Sequence, residues 1–283
     1  MKNRPYGQIL FGWVAREVPF SPPHPSNYVR NSLFMQNATL APLVLSALLT
    51  TILPAQTPQR ETLEYAVEWH LVPAGRARLS SGPPPSSEKK AQMETKLHLE
   101  STGLVSRLFH VNDDYTAELK SNLCAEQSFM TAHEAGRNRE TKVVYDSATR
   151  KAAYRERDLT TNKLTSHDTE IPSCVHDIIG GLFQLRTLFL EPGKSTTIPV
   201  SDGKKSVMLK IEAQRREEIK TPLGLRKCIA YEVFAFNDVL YKRQGHLHVW
   251  LTDDARHLPV QIQIRMQFTI GTITLRLDKD EKA

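Results

Sequence analysis

His246 and His248 stand two residues apart in a segment that alternates like a strand. Side chains at i and i+2 of a strand share one face, and two imidazoles on a face can begin a metal site. Catalytic zinc needs three protein ligands, and the sequence offers no identifiable third. The histidines are read as a solvent-side pair beside Trp250, and no metal is assigned. Asp253 and Asp254 follow, with Arg256 and His257 close behind. Paired carboxylates serve as general acid and base or bind Ca²⁺. Neighbours on an extended chain point apart, however, and Asp is a common turn residue. Trp250, Asp253, Asp254 and Pro259 are therefore assigned a structural role in a turn.

Other matches weaken on inspection. Ser201-Asp202-Gly203-Lys204 fits a Ser-x-x-Lys pattern, which needs the Ser to open a helix so that the Lys can reach it. Asp-Gly between two strand-like runs is a turn instead. Gly193-Lys194-Ser195 suggests a phosphate loop, but the required Gly five places earlier is Leu188. His176-Asp177 stands at a helix start and reads as a capping pair rather than a dyad. Neither G-x-S-x-G nor H-E-x-x-H occurs. The sequence assigns no catalytic residue and no cofactor.

Three cysteines are present, Cys124, Cys174 and Cys228, without C-x-x-C or Cys/His metal spacing. Cys124 lies in the loop SNLCAEQ and Cys174 in IPSCVHD at a helix mouth, junctions that a bridge distorts little. Cys228 falls inside a strand pattern and reads as a small core residue. A Cys124–Cys174 disulfide is expected in an oxidising compartment; three buried free thiols are the alternative.

The elements that must position these residues are mostly strands. Leu63, Tyr65, Val67, Trp69 and Leu71 alternate with polar or small residues, as do Val207, Leu209 and Ile211. In VQIQIRMQF, Val260, Ile262, Ile264, Met266 and Phe268 face one way and Gln261, Gln263, Arg265 and Gln267 the other. Such period-two runs are half-buried antiparallel strands. Further strands are expected at 74–80, 91–101, 110–120, 127–134, 139–146, 151–158, 165–170, 196–200, 226–236 and 246–252. Turns are read at 146–149, 202–203 and 253–256, and a polar loop at Gly82-Pro83-Pro84-Pro85-Ser86-Ser87. One helix is expected from Val175 to Leu190, capped by Ser173 and ended by Pro192-Gly193. Gly180-Gly181 within it suggests the close approach of a strand. The fold class is mostly β: a strongly curved antiparallel sheet, or a partly open barrel or sandwich, with one main α-helix.

Ala38–Ala55, ATLAPLVLSALLTTILPA, is uncharged and apolar and ends in a small residue before a polar run. This is the form of a secretory signal. Cleavage has two rivals: an uncleaved anchor at residues 38–55, slightly short for a span of roughly 20 residues, and a buried core helix, which Pro42 and Pro54 disfavour. The start is left open between Met1 and Met35; with Met35, residues 1–34 are an upstream extension. Residues 1–55 stand outside the fold, and 56–283 form one exported β domain, periplasmic or secreted. No Cys follows the apolar run, so a lipid-anchored lipoprotein is not expected. The chain of 283 residues has a formal net charge of +6; residues 1–55 hold Lys2, Arg4, Arg16, Arg30 and Glu17, leaving +3 on the rest. Basic residues are interspersed with acidic ones, as in Arg215-Arg216-Glu217-Glu218, so nucleic acid is not an expected partner.

The order of four segments is distinctive: DIIGGLFQLRTLFLEPGK, EIKTPLGLRKCIAYEV, GHLHVWLTDDARHLPVQIQI and IGTITLRL. With the opening EYAVEWHLVPAGRARLS they resemble the Domain of Unknown Function 3108 family of exported bacterial proteins over residues 62–278. The most specific element is W-L-x-D-D-x-x-x-x-P, from Trp250 to Pro259. The resemblance implies an exported location and a curved sheet partly closed around the helix, like bacterial lipoprotein-carrier folds. It brings no activity and no catalytic residues. The leading expectation is a non-enzymatic envelope protein that binds a lipid, another apolar ligand or a partner in the concave side of its sheet. The second is a structural or interaction protein of the envelope with a filled core. The third is a hydrolase using Asp253, Asp254, His246 or His248. An apolar cavity of several hundred Å³ separates the first from the second.

Overall fold

The computed structural model describes residues 60–84, 91–267 and 271–282. The readings made for residues 1–55, for the end of the loop at 85–87 and for Phe268 lie outside the described residues.

Alternation in sequence becomes a long meander. Eight strands come first: β1 Glu61–Trp69, β2 Val72–Gly82, β3 Met93–Ser101, β4 Val111–Leu119, β5 Ala125–Glu134, β6 Arg137–Asp146, β7 Lys151–Asp158 and β8 Leu164–Glu170. Six follow: β9 Ser195–Ser201, β10 Ser206–Thr221, β11 Gly224–Val233, β12 Gly245–Thr252, β13 Pro259–Met266 and β14 Thr272–Lys282. Two helices interrupt them, α1 Gly103–Leu108 and α2 Ile178–Leu185. All the described strands form one antiparallel sheet, in the order β8-β7-β6-β5-β4-β3-β2-β1-β14-β13-β12-β11-β10-β9. The meanders β1–β8 and β9–β14 join where β1 pairs with β14, Tyr65 opposite Leu277.

The sheet does not close, because β8 and β9 remain its two edges. It curls far enough to bring them together. Thr169 Oγ1 of β8 donates to the Lys204 carbonyl beyond β9 at 3.0 Å, and Tyr145 Oη of β6 donates to the Ser201 carbonyl at 3.2 Å. The concave side holds the core, including Leu63, Leu119, Leu185, Tyr231, Leu251 and Leu277. Helix α2 lies against β4 and β9. A Cβ on Gly181 would sit 3.4 Å from Val200 Cγ2, so the glycine lets β9 approach the helix.

Three local expectations are corrected. The main helix runs from Ile178 to Leu185 only. Val175 and His176 are extended, because the Val175 carbonyl accepts from Ala125 N at 2.8 Å and His176 bridges Val200 in parallel. Backbone bonded sideways to strands cannot also close helical turns. Asp177, not Ser173, is the cap: its carboxylate accepts from the N–H groups of Ile179 at 3.1 Å and Gly180 at 3.2 Å. Leu71 does not continue the inward row of β1. It lies in the β1–β2 turn at φ 68° and is 80% exposed. Gln261 is buried although it alternates with the core residues, because Trp250 stands opposite it on the outer face.

Candidate functional site

Inward alternation places polar residues as well as apolar ones on the concave face. Tyr115 of β4, Tyr145 of β6 and Tyr154 of β7 are all buried there. Tyr115 donates to Asp177 Oδ2 at 2.7 Å, so one buried carboxylate caps α2 and fastens it to β4. Burial pushes the Asp177 carboxyl above its usual range, while the Tyr115 hydroxyl and the helix N–H groups pull it back. Tyr65 of β1 donates to the Pro259 carbonyl at 2.9 Å. The space left between these side chains is about 40 Å³, bordered by Tyr115, Met130, Tyr145, Tyr154 and Lys204. That is room for water, not for an acyl chain. Lys204 Nζ lies 4.4 Å from the centre of the Tyr154 ring and 3.8 Å from Glu156 Oε2. Burial lowers its pKa.

A second polar group lies on the same face. Asp113, Glu134 and Arg139 come from the adjacent strands β4, β5 and β6, and all three are buried. Arg139 Nη2 is 3.3 Å from Glu134 Oε2, and Asp113 Oδ1 accepts from the His133 N–H at 3.0 Å. Burial raises the Asp113 carboxyl. It pushes Glu134 up to about 7, against the pull of Arg139 and with the help of the Asp113 charge. The trio can hold a shared proton.

The residues singled out by sequence are not gathered into one site. The rings of His246 and His248 stack 6.2 Å apart, with His246 Nδ1 2.9 Å from Glu232 Oε1. Among the described residues no group of three His, Cys, Asp or Glu side chains could hold a metal. Trp250 Nε1 donates to Glu217 at 2.6 Å. The adjacent carboxylates diverge. Asp253 accepts from Arg216 Nε at 2.9 Å, while Asp254 Oδ1 accepts from Thr252 Oγ1 at 2.8 Å and from the Arg256 N–H at 2.9 Å. His257 turns inward, its Nδ1 3.0 Å from the Arg186 carbonyl. At 201–204 the Asp202 carboxylate accepts from the Lys204 and Lys205 N–H groups at 2.9 and 2.8 Å, a turn in which the lysine reaches Glu156 rather than Ser201. The sulfurs of Cys124 and Cys174 are joined, with Cα atoms 5.1 Å apart. Cys228 is buried and its thiol is pushed up to about 12.

Sequence reasoning overlooked two groups. Asp113, Glu134 and Arg139 share the inward register of Tyr115, Ala132 and Val143, so alternation could have flagged them as inward charges. The second is an ionic network in which Glu61 takes Arg186 at 2.6 Å and Arg256 at 3.1 Å, while Arg256 also takes Asp280 at 2.6 Å. It ties β1, α2, the β12–β13 turn and β14 together. Its directly bonded members are up to 195 residues apart, and no local pattern announces them.

The family model described as "Protein of unknown function (DUF3108)" matches residues 64–278. The chain belongs to the DUF3108 family. Among curated proteins, none matches it. One similar solved structure is the beta-barrel-like protein of a different family, DUF1849, from Brucella abortus: 8% identity, 80% of this chain and 98% of that one covered, TM-score 0.49. Another is a Bacteroides fragilis protein with a YmcC-like fold, provisionally described as exported: 11% identity, 78% and 95% covered, TM-score 0.29. Likenesses this distant bring no activity, ligand or partner to a DUF3108 chain.

Two recesses among the described residues are larger. One, of about 560 Å³, opens at the seam where the two sheet edges approach, between Ile171 and Pro172 on one side and Pro199, Val207 and Met208 on the other. Another, of about 370 Å³, is bordered by Met93, Phe183 and the Glu61–Arg186–Arg256 network. Among the described residues, no helix is long and apolar enough to cross a membrane.

Proposed function

We propose that this DUF3108 protein is an exported component of the bacterial cell envelope that works by holding a partner against its surface, without chemistry on a bound substrate. One observation supports the surface over the interior: the recess among Tyr115, Tyr145 and Tyr154 on the concave face holds about 40 Å³, whereas small-molecule sites run to roughly 300–1,000 Å³. The seam recess of about 560 Å³ is the surface of suitable size. Val207 and the exposed Met208 give it an apolar edge beside Arg150, Lys151 and Glu170, which suits an amphipathic segment of another envelope protein. Export rests on the apolar run at 38–55 and the polar exit after it. Residues 56–283 are the exported part on this reading. The Cys124–Cys174 bond belongs with it, because oxidising compartments keep disulfides. Mapping peptides without reduction should yield one linked pair from these two positions; a peptide linked through Cys228 would overturn the assignment.

The test of the main proposal is native mass spectrometry of protein taken from its own envelope. The expected spectrum shows the polypeptide alone or with a protein partner. A lipid held one to one through desalting would favour the rival reading, in which the concave side opens around an apolar ligand.

A further inference from the structure

We infer that the recess beneath the β9–β10 turn is a hydration site, in which the ammonium of Lys204 and the hydroxyl of Tyr241 bind about one to three water molecules. The turn is pressed into the concave side from the open edge of the sheet. A Cβ on Gly203, at φ 86°, would come within 2.7 Å of Val143 Cγ2 and 3.1 Å of Tyr154 Cδ2. Glycine at this position therefore lets the turn lie directly on β6 and β7. Lys204 comes next and is carried inward over the Tyr154 ring. Its side chain is only 16% exposed.

An ammonium carries three N–H donors and no acceptor, and burying them without hydrogen bonds is costly. The Glu156 carboxylate is 3.8 Å from Lys204 Nζ, beyond hydrogen-bond reach, and its Oε2 already accepts from Tyr154 Oη. Asp202 Oδ1 is taken by the backbone N–H groups of Lys204 and Lys205. Among the described residues, Lys204 Nζ thus donates no hydrogen bond. The recess that it borders, about 40 Å³, is walled by tyrosines. Three of them are engaged: Tyr115 with Asp177, Tyr145 with Ser201 and Tyr154 with Glu156. Tyr241, brought in by the loop after β11, is not. Its ring packs on Phe236 at 5.5 Å, and its hydroxyl has no hydrogen bond among the described residues.

Size and charge choose the occupant. The space admits a few waters. An anion would lie beside the carboxylates of Glu156 and Asp202, and a cation would meet Lys204. An apolar group would leave the ammonium without an acceptor. Water accepts from Lys204 and bonds the phenol as donor or acceptor. Burial lowers the Lys204 pKa; Glu156 and Asp202 hold it up, and Arg139 and Arg137 oppose them. Bound water works with the two acids to keep the amine charged. The site lies just inside the gap between the unpaired sheet edges, because the Lys204 carbonyl accepts from Thr169 of β8.

The test is a crystal structure of the protein fine enough to show ordered solvent. At least one water should lie about 2.7–3.2 Å from Lys204 Nζ inside the recess, linked directly or through a second water to Tyr241 Oη. Lys204→Met, of similar length and unable to donate, should lose the water beside position 204. Tyr241→Phe should lose the water on the phenol and keep the one on Lys204. Lys204 Nζ bonded directly to Glu156 or Asp202, with no water in the recess, would overturn the proposal. So would an anion or an acyl chain there, or the same solvent in Lys204→Met as in the parent. Should a variant fail to fold, the parent structure decides alone. None of these results bears on whether the seam holds a partner.

Discussion

Glu134 gives the fold a dependence on pH that can be worked out and measured. Burial lifts its carboxyl from an ordinary 4.5 to about 7, with Asp113 pushing the same way and Arg139 and Arg137 pulling back. The folded state therefore binds this proton more tightly than the unfolded chain does. The stabilisation is complete below about pH 4.5, fades as pH rises toward 7, and is gone above it. At about 1.4 kcal/mol per pH unit, the loss between pH 5 and pH 8 is about 3 kcal/mol. Glu134→Gln keeps the shape of the protonated acid and cannot ionise. At pH 5 the variant should match the parent to within about 1 kcal/mol, and at pH 8 it should be the more stable by up to about 3 kcal/mol. The assay is denaturation by urea at the two pH values with the Cys124–Cys174 bond intact. His176, whose pKa burial lowers, gains stability with rising pH and works in the opposite direction. The comparison is therefore the parent's change minus the variant's, in which His176 cancels. Equal changes in both proteins would refute a buried, proton-holding Glu134.

Asp177→Ala removes the cap of α2 and the carboxylate to which Tyr115 donates, and should cost about 2–3 kcal/mol. Asp177→Asn, which keeps an acceptor, should lose much less in the same chemical denaturation. Replacing both Asp253 and Asp254 by Ala breaks an exposed pair with Arg216 and the turn bonds from Thr252 and Arg256. The expected loss is about 1–2 kcal/mol, or roughly 2–8 °C in melting temperature, with partner binding falling only as far as unfolding explains. A double variant that melts like the parent but loses binding would give this turn a functional role instead.

Strand positions were legible because one face of each is buried. A row such as Leu63-Tyr65-Val67 or Leu209-Ile211 can face the core in one register only. The same rule fails at ends. Leu71 fits the spacing of β1, but the chain has already turned at His70, and spacing carries no information about where a strand stops. The helix was read too long for a related reason. Val175 has the right interval to Ile178 and Ile179, but its carbonyl is taken by Ala125 across the loop that Cys124 anchors. Helix α1 escaped notice because six residues that bury nothing leave no period. The hairpin turns were readable from Asp202 and Asp254, whose carboxylates bond backbone only two or three positions ahead. The contacts that curl the sheet, Thr169 to Lys204 and Tyr145 to Ser201, span 35 and 56 residues and leave no such mark.

The polar content of the concave face bears on what the fold can carry. Three of its tyrosines end in hydrogen bonds that cross the interior: Tyr65 to Pro259, Tyr115 to Asp177 and Tyr145 to Ser201. Each links strands or a helix that are not neighbours in the sheet, so together they brace the curl from within. An acyl chain entering this space would have to part these braces. Leaving three buried hydroxyls and their acceptors unpaired costs roughly 3–9 kcal/mol. A chain of ten methylenes gains about 8 kcal/mol at most from burial. At the upper end of that range the cost cancels the gain before any entropy of binding is counted. On the reading proposed above, a partner at the seam would cover Met208, which is 58% exposed, without parting these braces. The same residues that brace the interior therefore count against an acyl chain there and support the proposal of a partner on the outside.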